Sequence, residues 1–149
     1  MSKPADILVV EDNPEDLALT LRALRRSGLE VGIEVLRDGA EVLEHLLGES
    51  ASGADGARRP RLILMDLKMP KVDGLELLER LKSNPRTLAI PIVVLTSSAE
   101  RSDIVGAYRR GANSYVVKPV EFEHFARTVQ QIGIYWLNYS QSPHVSDST

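Results

Sequence analysis

The chain has 149 residues, a formal net charge of -3 and no cysteine, so its size suits a single domain with one hydrophobic core. The lack of cysteine excludes disulfides and thiolate metal sites, and the mildly acidic charge argues against nucleic acid as the main partner. No apolar stretch approaches the roughly 18 residues of a membrane span, and the first residues lack a signal-peptide core, so we expect a soluble cytoplasmic protein.

Apolar runs and amphipathic segments alternate along the chain, a pattern that predicts β-α-β units and a parallel sheet. The first run, Ile-Leu-Val-Val at 7–10, predicts a buried strand, and Asn13-Pro14 after it predicts the start of a helix. Residues 31–35 alternate between apolar and other side chains, which predicts a half-exposed edge strand. A second helix is expected after Asp38.

The segment 48–59 contains no large apolar side chain, so it predicts a flexible surface loop, with a linker between domains as the other interpretation. Further strands are predicted at 62–65, 92–95 and 115–117, and helices at about 74–83, 100–110 and from 121 onward. The helix at 100–110 has few apolar anchors.

Right-handed crossovers and this count of units favour an α/β fold with a five-stranded, doubly wound parallel sheet of order 2-1-3-4-5. We expect one domain over residues 1–139 and a disordered tail at 140–149.

Four of the predicted strands run directly into reactive polar side chains. The carboxyl ends of parallel strands lie along one edge of a sheet, so these side chains are expected to converge there, where open α/β sheets bind ligands. They are Glu11 and Asp12 after the first strand, then Asp66, Thr96 and Lys118.

Clustered carboxylates repel one another unless a cation joins them, and oxygen-only ligands suit Mg2+ or Mn2+ better than zinc. Helix capping or simple hydration would also explain Glu11 and Asp12 alone, but Asp66 on the next strand favours a metal. Lys118 is the expected counter-charge, with a structural salt bridge as the other interpretation. A carboxylate beside a metal, an ammonium and a hydroxyl matches the needs of phosphoryl transfer to aspartate.

These residues resemble the receiver domain of two-component response regulators. The sequence Asp-Leu-Lys-Met-Pro-Lys-Val-Asp-Gly at 66–74 is similar to the phosphoacceptor loop of that family. Glu11-Asp12, Thr96-Ser97 and Lys118-Pro119 are similar to its other motifs, and the resemblance covers residues 5 to about 135. It implies a flavodoxin-like fold and a signalling domain that catalyses only its own phosphorylation and dephosphorylation.

The resemblance also implies a role for each carboxylate. Asp66 would accept a phosphoryl group from a sensor histidine kinase. Asp12 and Asp66 would bind Mg2+ (or Mn2+) directly, together with the main-chain carbonyl of Lys68, while Glu11 would help through water.

On the signalling side, the resemblance implies that Thr96 is the switch hydroxyl and Tyr115 the switch aromatic. Lys118 would bind phosphate, and the bond from Lys118 to Pro119 would be cis. Lys68 and Ser98 each follow a site residue by two positions, so we expect both to flank the phosphoryl group and Lys68 to alter its hydrolysis rate.

Within the family, the segments 90–98 and 111–115 are similar to single-domain regulators that pair with phytochrome photoreceptor kinases, so a phytochrome is the expected partner. The glycine-rich loop at 48–59 departs from the family's compact pattern.

The chain after the last helix is too short for a DNA-binding module, so we expect the signal to leave through protein contacts, with helix 100–110 as the element that moves. The aromatic residues Tyr135, Trp136 and Tyr139 predict a homodimer interface. Covering the end of the core is the other interpretation of these side chains.

Two other functions are compatible with parts of the pattern. One is a receiver-like interaction module that never receives phosphate, which the complete set of site residues disfavours. The other is an aspartate-nucleophile phosphatase of the haloacid dehalogenase type. That family needs a second aspartate two residues after the nucleophile, where this chain has Lys68, and a substrate cap for which no segment is free.

Overall fold

The computed structural model describes residues 6–48 and 59–141. Within these ranges, five strands alternate with five α-helices, and a π-helix continues the last of them. The strands are β1 Ile7–Val10, β2 Ile33–Leu36, β3 Leu62–Met65, β4 Ile92–Thr96 and β5 Ser114–Val117. The helices are α1 Pro14–Arg26, α2 Gly39–Leu47, α3 Gly74–Lys82, α4 Arg101–Arg109 and α5 Phe122–Ile134, followed by the π-helix Tyr135–Tyr139.

All strand pairs are parallel and the sheet order is β2-β1-β3-β4-β5, which confirms the predicted fold. The uninterrupted apolar runs of β1, β3 and β4 are buried on both faces, as central parallel strands require. β2 is only half buried at the edge of the sheet, as its alternating sequence predicts, but it begins at Ile33 rather than Val31.

Two hydrophobic cores lie on opposite faces of this sheet, because successive strand residues point in opposite directions. In β1, Leu8 and Val10 belong to one core with the apolar faces of α2 and α3. Ile7 and Val9 belong to the other core, with α1 and α5. The sheet is therefore covered by helices on both faces.

The helices differ in how firmly they begin. Asn13, Asp38 and Asp73 cap α1, α2 and α3, each with a side-chain oxygen that accepts a hydrogen bond from the third backbone N–H beyond it. α4 has no such cap, and Ala107 is its only buried residue, so its weak anchoring agrees with the sequence-based expectation.

One expectation is wrong. The described part of the chain contains no cis peptide bond, so the bond from Lys118 to Pro119 is trans. The backbone N–H of Lys118 donates to the carbonyl of Thr96 at 2.7 Å, so the pairing of β5 with β4 extends to the residue before the proline.

Most of the loop predicted at 48–59 and of the tail predicted at 140–149 lies outside the described residues. In the two described ranges, no helix is both long enough and apolar enough to cross a membrane.

Candidate functional site

The sheet register brings two carboxylates together. Val10 of β1 pairs with Met65 of β3, so the next residues, Glu11 and Asp66, are neighbours at the carboxyl edge. The backbone N–H of Asp66 donates to the Val10 carbonyl at 3.1 Å, and that of Glu11 donates to Leu36 at 3.1 Å. Both acids are therefore fixed by extensions of the strand ladders, and both are buried.

The ammonium of Lys118 lies between three carboxylates. Its Nζ atom is 2.7 Å from Glu11 Oε1, 2.9 Å from Asp16 Oδ2 and 2.9 Å from Asp66 Oδ2. The lysine side chain is only 6% exposed. A buried ammonium is stable only when it is paired, and here all three donors have an acceptor. The counter-charge expected from the sequence is thus observed against Glu11 and Asp66.

Asp16 is the site residue that sequence reasoning missed. It lies in the first turn of α1, where its backbone N–H is bound by the Asn13 cap at 2.9 Å. Acidic residues are common in first turns because they suit the positive end of the helix dipole, so the residue carries no distinctive signal in the sequence. Only the packing of α1 beside Lys118 shows that its carboxylate reaches the site.

Asp12, expected to bind metal directly, is exposed beside this cluster. Among the described residues, the acidic group whose ligand oxygens lie within 4.8 Å of one another consists of Glu11, Asp16 and Asp66. Three carboxylates around one point form an all-oxygen donor set, which fits a hard divalent cation. The donor chemistry therefore agrees with Mg2+ or Mn2+, with Asp16 as an additional candidate ligand.

The two oxygens of Asp66 have different partners. Oδ1 accepts hydrogen bonds from the backbone N–H groups of Leu67, at 2.6 Å, and Lys68, at 3.2 Å. Oδ2 faces Lys118. The loop after β3 thus holds one oxygen in place, while the other lies in the most strongly charged part of the site.

The carboxylates titrate differently because their surroundings differ. Burial raises the pKa of Glu11 to about 7, despite its contact with Lys118. Burial also acts to raise the pKa of Asp66, but the Thr96 hydroxyl and the Lys118 charge outweigh it, so this pKa is lowered. Burial opposes the charge of Lys118, yet its three carboxylate partners raise its pKa above the ordinary value. Asp66 is therefore an anion, and Lys118 a cation, at neutral pH.

The expected switch residues lie on the neighbouring strands. Thr96 is the last residue of β4 and is fully buried, with its Oγ1 3.4 Å from the backbone nitrogen of Ser98. The Tyr115 hydroxyl, on β5, donates to the carbonyl of Ser98 at 2.9 Å. The residues from Thr96 to Ser98 therefore connect the site to Tyr115.

The aromatic segment at the chain end divides into two kinds of surface. Tyr135 and Tyr139 are 53% and 71% exposed. Trp136 is partly buried against the core that α1 and α5 form, with its ring edge-on to Tyr135 at 5.1 Å. Leu137 is buried in the same core. The segment thus covers the end of the core, as one interpretation expects, and also presents two tyrosines outward. The homodimer interface stays a prediction.

A flavodoxin-like sheet of order 2-1-3-4-5 that carries an acidic pocket and a buried lysine at its carboxyl edge defines the receiver class of signalling domain. The family model described as response regulator receiver domain matches residues 7–130. The chain belongs to this family, and hence to the proteins of two-component signalling.

Two relatives match most of the chain. The probable methanogenesis regulatory protein FilR2 of Methanothrix harundinacea (strain 6Ac) is 44% identical over 140 residues, which cover 94% of this chain and 88% of FilR2. The response regulator Rcp1 of Synechocystis sp. (strain ATCC 27184 / PCC 6803 / Kazusa) is 36% identical over 134 residues, or 90% of each chain.

Solved structures agree with the fold. The phosphorylated cyanobacterial phytochrome response regulator RcpA has a TM-score of 0.84 at 35% identity, covering 95% of this chain and 99% of its own. The Mn(2+)-bound form of Rcp1 has a TM-score of 0.82 at 35% identity, with coverages of 94% and 99%. The bacteriophytochrome response regulator RtBRR is 45% identical with a TM-score of 0.69, over 98% of this chain and 88% of its own.

Proposed function

We propose that the protein accepts a phosphoryl group on Asp66 from the phosphohistidine of a sensor kinase, in a reaction that depends on Mg2+. The observation that carries this proposal is the contact between Lys118 Nζ and Asp66 Oδ2, at 2.9 Å in a buried site. It places a fixed cation beside the atom that would attack, where negative charge accumulates during transfer.

The lowered pKa keeps Asp66 ionised, so it is a nucleophile without a separate base. A carboxylate oxygen attacks the phosphorus, the P–N bond to the kinase histidine breaks, and its electron pair stays on the imidazole nitrogen. Lys118 orients the incoming phosphoryl oxygens and balances their charge. A bound divalent cation, held by Asp66, the main-chain carbonyl of Lys68 and Glu11 together with Asp12 or Asp16, would supply further neutralisation.

The signal would leave the site through Thr96 and Tyr115. The buried Thr96 hydroxyl is positioned to donate to a phosphoryl oxygen. A shift of the Thr96 backbone would also move Ser98, whose carbonyl accepts a hydrogen bond from the Tyr115 hydroxyl. We infer that the outcome is a change in the surface around α4, which a partner protein reads.

For the kinase, we infer a phytochrome photoreceptor. RcpA is a cyanobacterial phytochrome response regulator and RtBRR a bacteriophytochrome response regulator, and they are 35% and 45% identical to this chain. We also infer a homodimer in which Tyr135, Trp136 and Tyr139 contribute to the interface, with Trp136 acting from its partly buried position.

The phosphoryl proposal is tested with a small acyl phosphate donor and Mg2+, followed by intact-mass measurement. A single added phosphoryl group that is absent without Mg2+, and absent in Asp66→Asn, is the expected result. No adduct on the wild-type protein would favour the interaction module that receives no phosphate. Repeated turnover of a phosphate ester would favour the phosphatase.

The kinase inference is tested by phosphotransfer from purified, autophosphorylated kinases. Transfer to Asp66 from a phytochrome kinase should be faster than from a histidine kinase that senses no light. Equal or slower transfer from the phytochrome would contradict the pairing while leaving the phosphoacceptor role intact.

A further inference from the structure

A carboxylate on α4 contacts both side chains that flank the proposed phosphoryl position. Asp103 lies in the first turn of α4, and its side chain is only 16% exposed. The Ser98 hydroxyl donates to Asp103 Oδ2 at 2.6 Å, and Lys68 Nζ lies 3.8 Å from the same oxygen. No part of the phosphoryl chemistry described above uses Asp103.

Each of the two flanking residues is also bound to the site through its backbone. The backbone N–H of Lys68 donates to Asp66 Oδ1, and the carbonyl of Ser98 accepts from the Tyr115 hydroxyl. Lys68 is therefore connected to the phosphoacceptor, and Ser98 to the switch tyrosine. Asp103 joins the two on a helix that otherwise contributes little to the core.

The geometry points to Asp103 as a positioning residue. We propose that it holds the Lys68 side chain away from the phosphoryl group and thereby shortens the lifetime of the phosphorylated state. The proposal rests on the proposed phosphorylation of Asp66. It adds that the position of the Lys68 side chain determines how easily water reaches the phosphorus, and that Asp103 on α4 influences this position.

The balance between the two positions of Lys68 is easily shifted. Its side chain is 71% exposed, and a 3.8 Å ion pair near solvent is weak. A phosphoryl dianion on Asp66 offers a second, more highly charged acceptor two residues away. When Lys68 moves to it, Asp103 keeps only the Ser98 hydroxyl as a partner in this group, so the start of α4 loses one of its attachments.

Hydrolysis shows why this position matters. Water attacks the phosphorus opposite the Asp66 oxygen, the P–O bond to Asp66 breaks, and its electron pair returns to the carboxylate. The proton that water loses passes to solvent, and inorganic phosphate leaves. A lysine side chain that lies over the phosphoryl group obstructs the approach of water, whereas one held by Asp103 leaves it open.

The test is the decay of the aspartyl phosphate in Asp103→Asn, after loading with an acyl phosphate and removal of the excess donor. Asparagine keeps an oxygen for the Ser98 hydroxyl and removes only the charge that attracts Lys68. We expect decay to slow by about two- to fivefold, the range that a pair of this exposure supports. The double variant Lys68→Met with Asp103→Asn should decay at the same rate as Lys68→Met alone.

Glu100→Gln is the matched control. Glu100 is an exposed acid just before α4 that makes no ion pair with Lys68 among the described residues, so its removal should not alter decay. Equal slowing by Glu100→Gln would show a general charge effect and overturn the proposal. Additive effects of Asp103→Asn and Lys68→Met on the decay rate would also overturn it, because they would show that the two residues act independently.

A second measurement does not depend on rates. Amide hydrogen exchange at residues 101–105 should increase on phosphorylation of the wild-type protein, and Asp103→Asn should show the faster exchange already without phosphate. Unchanged exchange in that variant would contradict the attachment of α4 through Asp103. A wild-type protein that forms no adduct would overturn the phosphoacceptor role, whereas an adduct whose decay ignores Asp103→Asn would overturn only the present inference.

Discussion

At the residue scale, the site is organised around one ammonium with more anionic partners than it can neutralise. Lys118 contacts Glu11, Asp16 and Asp66, so the pocket keeps an excess of negative charge. Glu11 reduces this excess by holding a proton part of the time, because burial raises its pKa to about 7. Such a pocket favours the arrival of a divalent cation, because every added positive charge relieves repulsion.

Replacing Lys118 should therefore destabilise the metal-free protein. In Lys118→Met, three carboxylates lose their shared cation, and we expect the free energy of unfolding to fall by about 3 kcal/mol. Added Mg2+ should restore part of the loss, which denaturant titrations with and without the ion would measure.

The matched control is Lys71→Met, since Lys71 pairs with Asp38 at 3.4 Å but its side chain is 67% exposed. Its loss should cost less than about 1 kcal/mol. Equal losses in the two variants would contradict the special position of Lys118.

The raised pKa of Glu11 predicts a pH dependence with a defined sign. The folded protein binds this proton more tightly than the unfolded chain, whose glutamate titrates near 4.5. Stability from this group is thus complete below pH 4.5 and is lost as the pH rises through about 7. Without metal, the free energy of unfolding should fall over this window by at most about 3 kcal/mol.

The variant Glu11→Gln cannot titrate, so its unfolding free energy should depend less on pH between 5 and 8, roughly the window of the Glu11 transition. Asp12→Asn, which alters the exposed neighbour, should keep the wild-type slope. A slope that survives in Glu11→Gln would show that another group is responsible.

At the scale of elements, the end of the chain combines anchoring with exposure. Arg61, just before β3, donates to the carbonyl of Leu137 at 2.5 Å and lies 3.9 Å from Asp6. With Leu137 buried, this bond fixes the π-helix to the base of the sheet. The two exposed tyrosines therefore lie on a segment that is fixed to the rest of the domain, which reduces the conformational entropy lost when a partner binds.

The proposed dimer should depend on those tyrosines. We expect Tyr135→Ser combined with Tyr139→Ser to weaken self-association at least tenfold in sedimentation, because aromatic side chains dominate interfaces of this kind. Tyr108→Ser, which changes a tyrosine of similar exposure on α4, is the control and should leave association unchanged. A wild-type protein that sediments as a monomer at tens of micromolar, roughly the range of a modest interface, would contradict the dimer itself.

At the scale of the whole molecule, the sequence predicts what periodicity and strand order determine. The apolar runs identify β1, β3 and β4, and parallel order then places Glu11, Asp66 and Lys118 at one edge. It does not predict Asp16 or Asp103, because both reach their partners only through the packing of a helix against the sheet. The exposed position of Asp12 and the trans bond before Pro119 likewise depend on local geometry that motif spacing does not specify.

Metal binding should be visible as stability of the entire domain. A cation that binds the folded protein alone raises the free energy of unfolding by about 2.7 kcal/mol at a hundredfold excess over its Kd. We expect Mg2+ to raise the thermal midpoint of the wild-type protein and to have little effect on Asp66→Asn. Comparable shifts in both proteins would place the bound ion elsewhere.

The weak embedding of α4 also has a consequence for how such a protein diversifies. Since Ala107 is its only buried residue, most positions on this helix can be exchanged at little cost to folding. Glu11, Asp66 and Thr96 instead lie on or directly after β1, β3 and β4, the buried central strands, where substitutions are expensive. After gene duplication, substitutions on α4 can therefore create contacts with new partner proteins while the residues of the site stay the same.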